Sequence, residues 1–421
     1  MPVSPPSRHA PDAIGRYRLA IRREAELSSF WGRYLGLDGR LLAIPNGFAH
    51  RRFVLRFAPM LRLFLPVAGV LWAFIGMPLY ALVWALRWTV AAGWDAPEVL
   101  PPSFYLQASN DRNLAYVPSA AGRPTVVLSL PWWTGAQPGA WAARCIDLRR
   151  LSSRGAVWRA AWSSACAGLQ ILMSEDRGKV LFTYSAPAWM WLHEALAAAG
   201  PTQIWISNHV DRWASLVTSL PEAQVVMVQH GDLGHWDSRQ DTRLVPALTE
   251  LLPRVRRVFV TDAESIGDFI AAITGPGPEF AQIELGMRVT PWPVPEADVK
   301  RVMMIGHPDA QGAISAVIRD LDARGEGRLL FAYRPHPTES RPVALPLAGA
   351  VRIEFTESGD TVPAVDIVVS YGSSVTGEII SATGAALVRW DPNDPASITT
   401  TIDAVLAAAG NGAAVAIDLR G

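Results

Sequence analysis

The chain has 421 residues, half of them hydrophobic, and its 38 basic and 38 acidic side chains cancel to a formal net charge of zero. That length exceeds what one hydrophobic core organises, so two domains are expected, and the balanced charge argues against a general nucleic-acid binder. The two cysteines, Cys145 and Cys166, have neither metal-ligand nor Cys-x-x-Cys spacing, and nothing before them resembles a cleaved signal peptide, so we expect buried structural thiols in a reducing, cytosolic setting.

In chain order, residues 1–62 hold eleven Arg against four acidic residues and read as a basic N-terminal arm. Leu63 to Leu86 follows without a charge, bracketed by Arg62 and Arg87. Its length matches a hydrocarbon core about 30 Å thick. A single crossing would, by the positive-inside tendency, keep the arm cytoplasmic and export everything after Arg87. We therefore expect residues 63–98 to form a membrane-associated hairpin that enters and leaves one leaflet, bending at Gly76-Met77-Pro78, with Trp72, Trp84, Trp88 and Trp94 as interfacial anchors. The competing expectation is a buried helical pair inside a soluble domain.

Beyond it, residues 99–289 read as a succession of βα units. Strands are expected at Pro124 to Leu130, Val180 to Tyr184, Gln203 to Ser207, Val225 to Gln229 and Arg257 to Val260, with helices running through His193 and over Asp211 to Leu220. Three prolines in Thr290-Pro-Trp-Pro-Val-Pro295 mark residues 290–297 as a linker. A second sheet in residues 298–421 is expected from strands at Val299 to Ile305, Leu329 to Ala332, Val351 to Phe355, Val365 to Ser370 and Ala386 to Trp390. The fold class is α/β, with two Rossmann-like domains facing each other across a cleft.

Chemistry concentrates where the strands end, the edge at which open parallel sheets bind ligands. Tyr333-Arg334-Pro335-His336-Pro337 follows one strand of the second domain, and Tyr371-Gly372-Ser373-Ser374-Val375-Thr376-Gly377-Glu378 follows another. Cationic side chains, a Pro-fixed backbone and two hydroxyls opening a helix suit an anion, most naturally a nucleotide phosphate. Gly306, in Ile305-Gly306-His307-Pro308, permits close backbone approach of that phosphate. Five of eight histidines, His209, His230, His235, His307 and His336, fall at or just after a predicted strand's carboxyl end. His230, beside Gly231 and Asp232, is the leading general base, with Asp232 in reserve and His209 a loop-holding residue.

Gln-His-Gly in the first domain, followed by Arg-Pro-His-Pro and by Ser-Ser with a nearby Glu in the second, resembles the bacterial GT-B transferases that use cytidine nucleotides. These include the CDP-glycerol glycerophosphotransferases and, more distantly, sialyl- and Kdo-transferases. The resemblance covers about residues 120–410. It implies that His336 and Pro337 contact the nucleotide or its phosphate, that Ser373 and Ser374 hold phosphate oxygens, that Glu378 binds a ribose hydroxyl or braces the loop, and that His230 is base or acceptor-binding residue. Two departures stand out: a Trp-His-Gly form is missing, and so is an acidic pair followed by Gly.

Transfer from a nucleotide donor needs charge stabilisation on the departing phosphate and proton removal from the acceptor hydroxyl. Arg334, His336, Ser373 and Ser374 suit the first task without a metal. The lone Asp-x-Asp, Asp320-Leu321-Asp322, falls in an amphipathic helix and reads as a solvated face. No cofactor is expected beyond the nucleotide-activated donor, itself a substrate. Fifteen of the seventeen Trp precede residue 240, which makes the first domain the expected acceptor side. The expected function is a metal-independent bacterial transferase moving a sugar or glycerol phosphate from a CMP- or CDP-type donor to a hydroxyl of a lipid-linked or envelope glycan. The expected location is the cytoplasmic side of the inner membrane, peripheral or monotopic, with no nucleic-acid partner. Two other readings stay open: a sugar-nucleotide epimerase on the same frame, and a non-catalytic membrane-associated scaffold.

Overall fold

A computed structural model describes residues 13–34, 37–45, 51–91, 94, 98–108, 112–132, 141–207, 211–229, 236–237, 242–243, 248–261, 263–284, 286–294, 296, 298–306, 311–325, 327–335, 351–352, 361–370, 375–390 and 395–410. The chain divides into two compact units, residues 1–230 with 246–283, and residues 231–245 with 284–421. Both are α/β and built on parallel sheets, the expected class.

The first unit begins with α1 (Ala13–Tyr34), which is part of the fold rather than a free basic arm. Tyr17, Ala20, Ile21 and Ala25, spaced three and four apart, are buried and give the helix a core-facing stripe. Its arginines are largely used internally. Arg18 and Arg22 pair with Asp176, which Lys179 also contacts at 2.7 Å. Burial would raise the Asp176 carboxyl, but these three cations hold it well below the usual carboxylate range.

The short α2 (Arg51–Arg56) leads into α3 (Ala58–Leu71) and α4 (Met77–Val90). A π-helical turn at Trp72–Gly76 joins the last two into one continuous helix of 33 residues. The hairpin expected at Gly76-Met77-Pro78 is therefore replaced by an unbroken helical run. Met77 N bonds back to Trp72 O across the widened turn, and Pro78, which has no N–H to offer, follows directly. The proline is accommodated as a bulge instead of breaking the helix.

Next come β1 (Ser103–Gln107), β2 (Val126–Ser129), β3 (Arg144–Asp147), α5 (Arg154–Leu172), α6 (Ala186–Ala199), β4 (Gln203–Ile206), α7 (Arg212–Ser219) and β5 (Gln224–Val228). An antiparallel pair, β6 (Trp236–Asp237) with β7 (Thr242–Arg243), lies in the stretch grouped with the second unit. β8 (Val255–Val260), α8 (Glu264–Asp268) and β9 (Glu279–Gln282) complete the first unit. Its seven strands run parallel in the order β3-β2-β1-β4-β5-β8-β9. Central strands such as Val225 to Val228 are buried on both faces, as helix-covered parallel strands must be.

Val180 to Tyr184, expected as a strand, lies in a 3-10 helix over Arg177–Ser185. Thr183 Oγ1 donates to Val180 O at 2.7 Å and accepts from Trp72 Nε1 at 2.8 Å, and such local hydroxyl bonds favour a helical turn over a ladder. Cys145 is exposed and Cys166 half-buried, so neither is the deeply packed thiol expected; Cys145 sits on β3 at the sheet edge, where one side of the strand faces solvent.

The second unit holds β10 (Arg288–Thr290), β11 (Lys300–Ile305), α9 (Gln311–Arg324), β12 (Leu329–Arg334), β13 (Val351–Arg352), β14 (Thr361–Pro363), β15 (Ile367–Ser370), α10 (Val375–Thr383), β16 (Ala386–Arg389) and α11 (Pro395–Gly410). Its five-stranded parallel sheet has the order β13-β12-β11-β15-β16. Val302, Met304, Phe331 and Val369 pack against Ile314, Val317, Ile318 and Leu321 of α9 on one face, and Met303, Ile305 and Ala332 pack with Val375 and Ile379 of α10 on the other. Asp320 and Asp322 point to solvent on α9 beside buried Leu321, the solvated helix face expected of them.

Candidate functional site

The parallel register of the second sheet brings three strand ends to one level. Ile305 of β11 is the partner of Arg334 on β12, while Met304 is the partner of Val369 on β15. Gly306 N donates to Arg334 O at 2.7 Å, tying the first two ends together. Arg334 is 3% exposed, a guanidinium held almost out of water at a carboxyl edge. Desolvating a guanidinium is costly, and proteins retain one there for a specific charge or hydrogen-bonding role.

Across β11, Ser370 ends β15 fully buried, and its Oγ lies 2.6 Å from Thr376 Oγ1 in the first turn of α10. Trp390 N donates to Ser370 O at 3.1 Å from the end of β16. Glu378, half-buried, also occupies the first turn of α10. Of the expected site residues, the structure thus brings Gly306, Arg334 and Glu378 to this edge. His230, Asp232, His336, Pro337, Ser373 and Ser374 lie outside the described residues, as do His209, His235 and His307. In sequence, His336 and Pro337 follow directly on Arg334-Pro335, and Ser373-Ser374 fall between Ser370 and Val375, so their anchors are described even where they are not.

Ser370 and Thr376 were not singled out by sequence reasoning. The available signal was a hydroxyl residue on each side of Tyr371-Gly372-Ser373-Ser374, one closing the strand and one opening the helix.

A comparable polar layer closes the carboxyl edge of the first sheet. Gln229, just past β5, is fully buried; its amide donates to Ser265 Oγ at 2.9 Å and accepts from Thr261 N at 2.8 Å. Its backbone carbonyl accepts from Asn113 Nδ2 at 2.6 Å, and its N–H donates to Phe259 O at 2.8 Å. The residue immediately preceding His230 is therefore locked by four hydrogen bonds. Tyr105 and Ser207, on β1 and just past β4, share a 2.6 Å hydroxyl pair in the same layer. Sequence reading took Gln229 only as the end of a strand.

Next to β4, the start of α7 holds a buried ionic group. Asp211 caps α7 by accepting from Trp213 N at 2.8 Å and Ala214 N at 3.4 Å. Arg212 pairs with Glu24 of α1, donates to the Tyr184 hydroxyl at 2.7 Å, and sits 4.7 Å from the centre of the Tyr184 ring. Burial raises the Glu24 carboxyl and Arg212 restrains it. Burial pushes Arg23 down to about 10, opposed by Asp211 and Glu26. The group fastens α1 to α7 and to the 3-10 turn that carries Tyr184, and is read as a structural clamp.

A cavity of about 470 Å³ in the second unit, lined by Asp298, Lys300, Arg324 and Arg328 among others, lies at the amino ends of β11 and β12, opposite the candidate site. Position along the strands separates the two.

No protein-family model matches the sequence, and no curated protein matches it. Among solved structures, the chain is similar to a protein described as a UDP-N-acetylglucosamine 2-epimerase from Listeria monocytogenes, at 12% identity and a TM-score of 0.41 over 74% of this chain and 88% of that one. A glycosyltransferase from Rickettsia africae is similar at 11% identity and a TM-score of 0.37, covering 73% and 88%. The UDP-GlcNAc 2-epimerase of Neisseria meningitidis, solved with UDP-GlcNAc bound, is similar at 9% identity and a TM-score of 0.37, covering 72% and 84%. All three stand below 25% identity and below a TM-score of 0.5, so the functional reading is built on the chain's own residues.

Proposed function

We propose that the protein is a nucleotide-donor-dependent transferase whose second unit holds the donor phosphates at the carboxyl edge of its five-stranded sheet. The observation that carries this is the buried Arg334 at the end of β12, level with Gly306 and with the Ser370–Thr376 bridge that leads into α10. A phosphate placed there would meet a guanidinium, a glycine-flanked strand end and helix N-terminal N–H groups, all of which favour negative charge. The same groups would stabilise the charge that grows on the departing nucleotide, and being pre-oriented they cost little reorganisation at the moment of reaction. His336, Ser373 and Ser374 are assigned to the same phosphates, and Glu378 to a ribose hydroxyl or to bracing the turn.

In this reading the acceptor is a hydroxyl of a lipid-linked or envelope glycan. His230, next to the hydrogen-bonded Gln229, removes its proton, with Asp232 as the alternative base. The donor is a CMP- or CDP-activated sugar or glycerol phosphate, and no metal or further cofactor takes part.

Calorimetric titration of the full chain with CMP, CDP, UDP and GDP tests the binding half. Nucleoside-diphosphate binding that Arg334→Gln weakens at least tenfold, with the cytidine nucleotide tightest, is the expected result. No binding of any nucleotide would overturn it. Incubation with UDP-GlcNAc and no acceptor separates the enzyme classes, since accumulation of an epimerised sugar nucleotide would replace transfer with epimerisation.

A further inference from the structure

The continuous helix from Ala58 to Val90 has two faces, and both are apolar. One is buried in the first unit through Gly69, Ala73, Met77, Ala81, Trp84, Ala85 and Trp88, spaced mostly four apart. Trp72 Nε1 donates to Thr183 Oγ1 at 2.8 Å, a Cβ on Gly168 would stand 3.2 Å from Met77, and Trp84 and Trp88 pack on Trp191 at 5.6 and 6.2 Å between ring centres. The other face is turned outward and carries Leu63, Phe64, Val67, Phe74, Ile75 and Val83, each more than half exposed. Between Leu63 and Leu86 every exposed residue is apolar apart from Tyr80. Only 17% of its most apolar stretch is buried. A soluble monomer rarely shows so large a continuous apolar surface without a partner for it.

We propose that this face is an in-plane seat for an anionic lipid leaflet, on which the first unit lies with the helix parallel to the surface and without crossing. Three observations select lipid over a protein. The exposed run, about 36 Å long at 1.5 Å per residue, offers almost no hydrogen-bonding side chain, whereas protein interfaces carry about one hydrogen bond per 100–200 Å². Residues 39–94 contain six Arg and no Asp, Glu or Lys, and Arg56 and Arg87 among them are exposed, a one-signed charge complementary to anionic headgroups. Arg62 meets Asp38, while Arg87 lies over the Trp88 ring at 5.2 Å. Packed beside α4, α5 adds the exposed Trp158 and Trp162 four residues apart, the residue type that gathers at the membrane–water boundary.

Two further facts select lying over spanning. The helix is about 50 Å long, well beyond a hydrocarbon core of about 30 Å. Its inner face is fixed along its length to α5, α6 and the 3-10 turn at Arg177–Ser185, elements that carry Arg159, Glu194 and Lys179, the last paired with Asp176 just before the turn. Upright insertion would drag those charges into hydrocarbon. The inference rests on the first unit alone and does not depend on the nucleotide reading.

The test uses the full chain and vesicles of phosphatidylglycerol with phosphatidylethanolamine, compared with neutral phosphatidylcholine. Sedimentation with the anionic vesicles should exceed that with neutral ones by about tenfold or more. It should fall at least tenfold in the variant Phe74→Asp with Val83→Asp, while circular dichroism and the melting temperature in buffer stay unchanged because both positions are exposed. In a Cys145→Ser, Cys166→Ser background, an environment-sensitive fluorophore placed on cysteine at position 63, 75 or 86 should report one shared shallow depth. A deep reading at 75 with shallow readings at 63 and 86 would mean a span and overturn the proposal. So would failure to bind vesicles by a wild type that is dimeric in buffer and that the double aspartate variant renders monomeric, because the face would then belong to a second copy of the chain.

Discussion

Ser370 Oγ and Thr376 Oγ1 stand 2.6 Å apart, linking the last residue of a central strand to the first turn of the helix that follows. Both residues are buried, so the bridge is made out of water and fixes the end of β15 against the start of α10. Ser370→Ala should cost about 1–2 kcal/mol in urea denaturation because Thr376 loses its partner in a buried setting. Adding Thr376→Val should cost less than the sum of the two single changes. Strict additivity would show that the two hydroxyls are not coupled.

Arg334 separates a donor-binding role from a merely structural one. Arg334→Lys keeps the charge but loses the planar fork, so affinity for a nucleoside diphosphate should fall by about tenfold while the melting temperature changes little. Titration calorimetry and thermal unfolding read the two effects separately. A variant that unfolds early but binds normally would move Arg334 from the site to the core.

Glu24 and Arg212 form an ion pair with both side chains 8% exposed. Glu24→Gln should destabilise the first unit by roughly 3 kcal/mol, because it strands a buried guanidinium next to Tyr184. The double change Glu24→Leu with Arg212→Met should recover part of that loss. Chemical denaturation of all three variants measures the cycle, and no recovery in the double variant would refute this account of the pair.

His193 is 7% exposed, stacks on Trp189 at 5.2 Å between ring centres, and is pushed down to about 4 by burial and by Arg16. Between its ordinary value of 6.5 and that folded value, the unfolded chain takes up a proton that the folded one refuses. Stability from this group is therefore complete above pH 6.5 and lost as pH falls toward 4, by on the order of 2–3 kcal/mol. Asp211 acts in the opposite direction: burial and Glu24 push it up to about 6, so its contribution is present at low pH and lost as pH rises through 6. Comparing wild type with His193→Phe isolates the histidine. The variant's melting temperature should decline less between pH 7 and pH 4.5, and parallel curves would contradict the assignment.

Strands with long β-branched runs, such as Val225 to Val228 and Ile367 to Ser370, were legible because burial on both faces leaves an uninterrupted apolar stretch. β1, β3 and β9 were not, since Ser103-Phe-Tyr-Leu-Gln107, Arg144-Cys-Ile-Asp147 and Glu279-Phe-Ala-Gln282 mix polar residues into short segments, and two of the three lie at sheet edges. Val180 to Tyr184 carried the apolar signature of a strand, but a side-chain hydroxyl bonded to its own backbone decided the matter locally. The helix from Ala58 was recognisable as apolar, whereas its continuity was not, because sequence does not announce that a π-turn will absorb Pro78. At the candidate site, Gly306, Arg334 and Glu378 could be read from motif position. The Ser370–Thr376 bridge went unread although its partners are six residues apart, because the Ser-Ser between them drew the reading; the anchoring of Gln229 could not be read, because it depends on segments distant in sequence.

The proline-rich stretch after residue 290 carries a practical lesson for dissecting the chain. Arg288–Thr290 pairs in parallel with Thr361–Pro363, Arg301 forks onto Asp366 at 2.8 and 2.9 Å, and the same guanidinium reaches the carbonyl of Trp292 at 3.3 Å. These contacts make the stretch an integral border of the second unit rather than a spacer. A fragment cut at residue 298 would leave Thr361–Pro363 with bare backbone groups and Met287 and Trp292 missing from the apolar cluster they cover, and an unpaired strand edge of that kind invites self-association. A fragment beginning at Glu284 keeps both, and is the form in which the contiguous part of the second unit should be expressed on its own.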